Sequence, residues 1–189
     1  MRKIVLTFGL IAGAVLSAMM LLALLFQDEI GFDRGAVVGY TSMVLAFLMV
    51  FFGVKSYRDN VVGGRVTFGR AFTVGLMITA VASVCYVATW QLVYYRLAPD
   101  FLDKYTAYAV EKARKSGATE AQVAEQAKDM AEFKEMYRNP LLNVAITFIE
   151  PLPVGILFSL VTAWLLSRKR RPEARPAELR TPAPANRGS

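Results

Sequence analysis

Glu150 is the one charged side chain inside four long apolar runs, and Pro151 and Pro153 stand directly after it. A carboxyl in that position can carry a proton, hold a cation or tie helices together by hydrogen bonds, because an ionised group left alone in hydrocarbon costs about 2.5 kcal/mol or more. At 1.5 Å per residue it lies about 14 Å along a helix that begins at Leu141, near the midplane of a hydrocarbon core about 30 Å thick. Each proline lacks an N–H and frees a carbonyl four residues earlier, those of Thr147 and Ile149, so a kink is expected here. Asn143, Thr147 and Glu150 share one helical face at i, i+4 and i+7.

The third run offers a mate for that stripe. Gly75, Thr79, Ser83, Tyr86 and Trp90 advance by four, four, three and four residues. Small residues let helices approach, and hydroxyls can bond across the interface. Glu150 is therefore expected to reach Tyr86 or Thr79. Gly9, Gly13 and Ser17 form a similar close-packing face on the first run. Other chemistry is thinly supplied: the chain has no histidine and one cysteine, Cys85. That composition excludes an internal disulfide and leaves no zinc, haem or iron–sulfur ligand set. It also removes the Ser-His and Cys-His nucleophile pairs. No catalytic, cofactor-binding or metal-binding residue is assigned, and a non-enzyme without cofactor is expected.

The elements that must carry these residues are transmembrane helices. The chain has 189 residues, 55% of them hydrophobic, and the excess falls in runs 4–26, 36–54, 71–95 and 141–166. Each is close to the roughly 17–25 residues that cross a bilayer as a helix. The first is longer than the roughly 7–15 apolar residues of a signal peptide and ends without an A-x-A site, so it reads as a retained anchor. The expected fold is all-α: a bundle of four transmembrane helices over 1–167, with a helical hairpin at 99–140 between the third and fourth. Residues 168–189, rich in Arg, Pro and Ala, read as a disordered basic tail.

Charge sets the expected orientation. Arg2, Lys3, Lys55, Arg58, Arg65, Arg70 and the cluster Arg168, Lys169, Arg170, Arg171 share one side, whereas Asp28, Glu29 and Asp33 dominate the other. The positive-inside rule then puts both termini in the cytoplasm and the hairpin outside. A bacterial cytoplasmic (inner) membrane is the expected location. The Arg168–Arg171 cluster favours anionic lipids at the inner leaflet, at about 1 kcal/mol per residue. Nucleic-acid binding explains it less simply, and no nucleic acid is expected as a partner.

Local signals shape the soluble segment. Asp100 reads as an N-cap, followed by a stripe of Phe101, Tyr105, Tyr108 and Lys112; Ser116-Gly117 stops that helix. Thr119 and Gln122 form a capping box for a second helix that carries Val123, Ala127, Met130 and Tyr137, and Asn139-Pro140 ends it. The hairpin could pack on the span ends, lie on lipid or bind a partner; its narrow, Ala-rich stripes favour the first. Gly63-Gly64 reads as a turn, and Thr67 as the cap of the third span.

Taken together, several stretches resemble the bacterial membrane family designated domain of unknown function 4199. They are Tyr57–Leu76 (YRDNVVGGRVTFGRAFTVGL), Tyr86–Trp90 (YVATW), the P-D-F at Pro99, and Thr147–Gly155 (TFIEPLPVG). The resemblance covers most of residues 4–170 and implies a four-helix inner-membrane protein with a soluble insert before the last helix. It implies no substrate and no catalytic residue. A non-enzymatic accessory or assembly protein, able to form a homo-oligomer, is the expected function. The alternative is an oligomeric minimal transporter or channel that uses Glu150.

Overall fold

The computed structural model describes residues 1–168; Lys169, Arg170, Arg171 and the rest of the expected tail lie outside the described residues. The described chain is α-helical, with no strand among the described residues. Four spans are long and apolar enough to cross a membrane: Arg2–Leu25, Gln27–Asn60, Phe68–Leu97 and Pro140–Ser167. The first two are single helices, α1 (Arg2–Leu25) and α2 (Gln27–Asn60). The third is α3 (Phe68–Leu92), prolonged by a π-helical turn at Val93–Leu97. Between the third and fourth come α4 (Phe101–Lys115) and α5 (Glu120–Arg138). The fourth span is two pieces, α6 (Pro140–Ile149) and α7 (Leu152–Ser167), divided where the prolines remove backbone donors.

α1 packs on α2 and α3, and α7 packs on α2 and α3, which closes a four-helix bundle. Its centre is dry and tight: Ala12, Ala46, Phe47, Val50, Val54, Ile78 and Ala82 have no exposed surface. The outside is apolar as well. Leu6, Leu10, Leu45, Leu48, Phe52, Val84, Leu157 and Val161 are all exposed, while Ser42, Thr79, Ser83, Asn143, Thr147, Ser159 and Thr162 are buried. Water would make that arrangement an aggregation surface, whereas hydrocarbon makes it the stable one. The multi-pass membrane reading of the sequence thus reappears as an apolar outer surface with these polar side chains turned inward.

Glycines let the helices touch. A Cβ at Gly9 would meet Val81, at Gly13 Cys85, at Gly53 Ile78, at Gly75 Ser159 and at Gly155 Thr79. The close-packing face expected on the first span is therefore real, and it lies against α3. Ser17 completes it, its hydroxyl 2.7 Å from that of Thr89. Dispersion between the touching backbones and side chains replaces the hydrophobic drive that lipid does not supply.

Several boundaries differ from the sequence reading. No free loop joins the first two spans: α2 begins at Gln27, one residue after α1 ends, and bends at Gly31, whose φ of 71° only glycine adopts readily. The acidic residues Asp28, Glu29 and Asp33 fall within α2, the first two in the first turn, where the helix dipole favours negative charge. Thr67 occupies the N-cap position of α3 and Asp100 that of α4, but neither side chain makes a capping hydrogen bond. Asp100 instead pairs with Lys104 at 2.9 Å. The expected turn at Gly63-Gly64 is present, both residues having positive φ, as is the stop at Gly117. The Thr119–Gln122 capping box forms in full.

Candidate functional site

The prolines divide the fourth span into parts with different neighbours. α7 lies against both α2 and α3, whereas the main packing of α6 is on α3 and α5. Its buried residues are polar, Asn143 and Thr147. Asn143 accepts a hydrogen bond from Gln91 Nε2 at 2.7 Å and donates through Nδ2 to the Tyr137 carbonyl at 3.4 Å. The Thr147 hydroxyl meets the Tyr137 hydroxyl at 2.9 Å. Asn139 caps α6 by accepting from the Leu141 and Leu142 amides. In this way one helix face is pinned to α3 and α5, and the break after Ile149 presents Glu150.

Tyr86 donates to Glu150 Oε2 at 3.0 Å. Of the two partners expected for the carboxyl, Tyr86 is the one used. Thr79 and Ser83 do not take part in a polar interface: their buried hydroxyls have no hydrogen-bond partner among the described residues. Thr79 packs against Gly155 instead, so its methyl is the contact that matters. The expected stripe therefore divides into a steric part at Gly75, Thr79 and Ser83, a hydrogen bond at Tyr86 and ring packing at Trp90. Gln91 and Tyr137 were not expected at the site. Their signal was present, since Gln91 is the one amide in the third run and Tyr137 lies three residues before Pro140, but periodicity within one helix cannot pair residues on two.

The α4–α5 pair covers this end of the bundle. Phe32, just past the bend in α2, packs on Phe101, Tyr105 and Tyr108 with ring centroids 5.8, 5.6 and 5.1 Å away. Lys112 pairs with Asp33, and the hydrogen bond to that carboxylate raises the Lys112 ammonium above its ordinary range. The whole predicted stripe of α4 is thus spent on one turn of α2. Lys134 of α5 pairs with Asp103 of α4. Trp90 meets Phe101 edge-on at 5.2 Å, and Tyr94 meets Tyr137 at 5.6 Å. Burial pushes the Tyr137 phenol up, so it stays neutral beside Thr147. Of the three readings of this segment, packing on the span ends is the arrangement observed.

Beneath it lies a cavity of about 470 Å³. Leu16, Met20 and Leu24 of α1 and Gly31, Gly35 and Gly39 of α2 line one side. Tyr86, Trp90, Phe101, Tyr105, Tyr137 and Glu150 line the other. A Cβ at any of those three glycines would meet nothing within 4 Å, in contrast to the glycines of the bundle centre. Glu150 is exposed although it stands in the middle of an apolar span, because it opens onto this space. Among the described residues no three His, Cys, Asp or Glu side chains converge to hold a metal ion. Far from the cavity, Arg168 ends the last span and stacks its guanidinium over Trp164 at 3.4 Å.

Four spans long and apolar enough to cross a bilayer, packed as one bundle with an apolar outer surface, define a multi-pass membrane protein. More narrowly, the chain belongs to the family described as protein of unknown function (DUF4199), whose model matches residues 7–168. Neither the curated proteins nor the solved structures contain a match to it. The family match includes every residue of the cavity and assigns none of them a role.

Proposed function

We propose that this chain is a non-enzymatic accessory protein of the bacterial cytoplasmic membrane that binds a small amphipathic molecule in the cavity around Glu150. The observation that carries this reading is the cavity itself: about 470 Å³, mostly apolar, with a few polar groups at one place. That size and lining are typical of small-molecule sites. The lack of histidine and the single cysteine support a binding role over catalysis. The charge distribution supports cytoplasmic termini and an α4–α5 pair on the outer face, with Arg168 and its neighbours toward anionic lipid. A reporter active only in the cytoplasm, fused to the C-terminus, tests the orientation.

The binding role is tested by filling the space. Gly39→Leu puts a side chain where a Cβ meets nothing. A panel of amphiphiles is expected to raise the Tm of the wild-type protein in lipid nanodiscs and to leave that of Gly39→Leu unmoved. Equal shifts in both would remove the reading. A second reading, a minimal transporter or channel, draws support from the interrupted fourth span, since broken helices beside a midplane site are a common transporter device. Proteoliposome flux under a pH gradient, comparing wild type with Glu150→Gln, separates the two. Cross-linking that yields only monomer would argue against the oligomeric channel.

A further inference from the structure

We propose that the ligand of this cavity is a lipophilic organic cation, its positive centre held at the Glu150 carboxylate and its hydrocarbon lying along the glycine face of α2. This rests on the reading of the cavity as a binding site and adds the charge and chemical class of the occupant.

Three observations converge. First, among the described residues Glu150 is the one formally charged side chain that lines the cavity, and no lysine or arginine among them does so. Its carboxylate makes one hydrogen bond among the described residues, from Tyr86, whereas an ionised carboxylate offers about four lone-pair sites. Such a group in a low-dielectric setting attracts a positive partner, and no lysine or arginine among the described residues forms an ion pair with it. Second, the lining is aromatic where the charge sits. Tyr40, Tyr86, Trp90, Tyr105 and Tyr137 line the same space as Glu150. Ring faces carry negative potential and bind ammonium-type cations, most strongly where water is excluded. Third, the space is too large and too apolar for a bare metal ion or proton. Leu16, Met19, Met20 and Met43 line it with aliphatic and thioether groups, and Gly35 and Gly39 leave room opposite them. A quaternary ammonium or phosphonium with aryl or alkyl arms satisfies all three conditions. An anion would meet the carboxylate, and a neutral hydrocarbon would leave it unpartnered.

The test compares two ions of nearly the same size and shape. Tetraphenylphosphonium and tetraphenylborate are titrated against the full-length protein in phospholipid nanodiscs, with partition into empty nanodiscs subtracted. Wild type is expected to bind the phosphonium at least about tenfold more tightly than the borate, which corresponds to the roughly 1.4 kcal/mol of a single modest charge contact. Glu150→Gln keeps the Tyr86 acceptor and the side-chain volume. It is expected to lose about tenfold in phosphonium affinity with its Tm held within the error of wild type, and to narrow the preference between the ions. Gly39→Leu is expected to abolish binding of both. If the borate binds as well as the phosphonium, or if Glu150→Gln binds the phosphonium as wild type does, cation recognition is overturned; loss of both ions in Gly39→Leu would leave the binding site standing. If wild type binds neither ion, or Gly39→Leu binds both unchanged, the cavity is not the site and both readings fall. Should Glu150→Gln not fold, Tyr105→Leu and Trp90→Leu serve in its place, and unaltered phosphonium affinity in both would overturn the aromatic part of the proposal.

Discussion

The two ends of this bundle use the same residue type in opposite ways. Toward the chain termini, Gly9, Gly53, Gly75 and Gly155 are places where a neighbouring helix presses into the space a Cβ would take. Toward the α4–α5 pair, Gly31, Gly35 and Gly39 face nothing. At the first end the helices are held by direct apposition and a core with no exposed surface. At the second they are held by named polar pairs, Gln91–Asn143, Tyr137–Thr147 and Tyr86–Glu150, with aromatic rings between them. A membrane protein has no hydrophobic drive to bring helices together, so close packing and hydrogen bonding are its two means of holding an interface. This chain applies one at each end.

Substitutions can break that contrast. The largest loss is expected from Gly155→Leu, whose side chain has to displace Thr79 and the α3–α7 contact. A cost at or above the top of the roughly 1–3 kcal/mol range for overpacking should appear in denaturant unfolding of the purified protein. Asn143→Leu follows, at about 1–3 kcal/mol, because it leaves the half-buried Gln91 amide without its acceptor. The double variant with Gln91→Leu should recover part of that loss, and full additivity would deny that the pair is what holds α6 to α3. Tyr137→Phe should cost about 1 kcal/mol by removing the bond to Thr147 while keeping the ring on Tyr94.

Two smaller effects sharpen the contrast from the open side. Gly39→Ala should be neutral or stabilising, by up to about 1 kcal/mol, since alanine restricts the unfolded chain and meets no neighbour here. The same change at Gly155 should destabilise, and equal responses at the two positions would erase the distinction. The smallest effect belongs to the fully exposed Asp100–Lys104 pair. The Lys104 ammonium holds the Asp100 carboxyl below the usual aspartate range. Its contribution is therefore present above an unfolded pKa of about 3.9 and is lost as pH falls through the lower folded value. Asp100→Asn and wild type should differ slightly in Tm at neutral pH and converge in acid.

Much of the architecture was legible because bilayer thickness constrains sequence directly. Apolar runs of the right length, a Pro pair in the fourth, a double glycine at 63–64 and a Thr119–Gln122 box each report a local rule that the fold obeys. Legibility failed where a local signal had a stronger competitor. Thr67 and Asp100 have the side chains of helix caps, yet Asp100 finds a lysine one turn away. Thr79 and Ser83 have the spacing of a polar seam, yet Gly155 brings a backbone so close that only packing remains. Residues 27–35 look like a loop because they are charged and glycine-rich, but a positive φ at Gly31 lets the helix restart and bend.

By itself, then, the sequence determined the number of spans, where the fourth is interrupted, and that Glu150 is the lone carboxyl within the four apolar runs, because each follows from hydropathy and backbone chemistry within a single segment. The tertiary structure alone decided that Glu150 meets Tyr86, that Asn143 and Thr147 bond to Gln91 and Tyr137, and that a cavity opens beside Glu150. Those outcomes depend on how separate helices rotate and separate in space, which no periodicity along one helix encodes. Gly155 and Gly39 make the point most plainly: identical in the sequence, one becomes a contact and the other open volume.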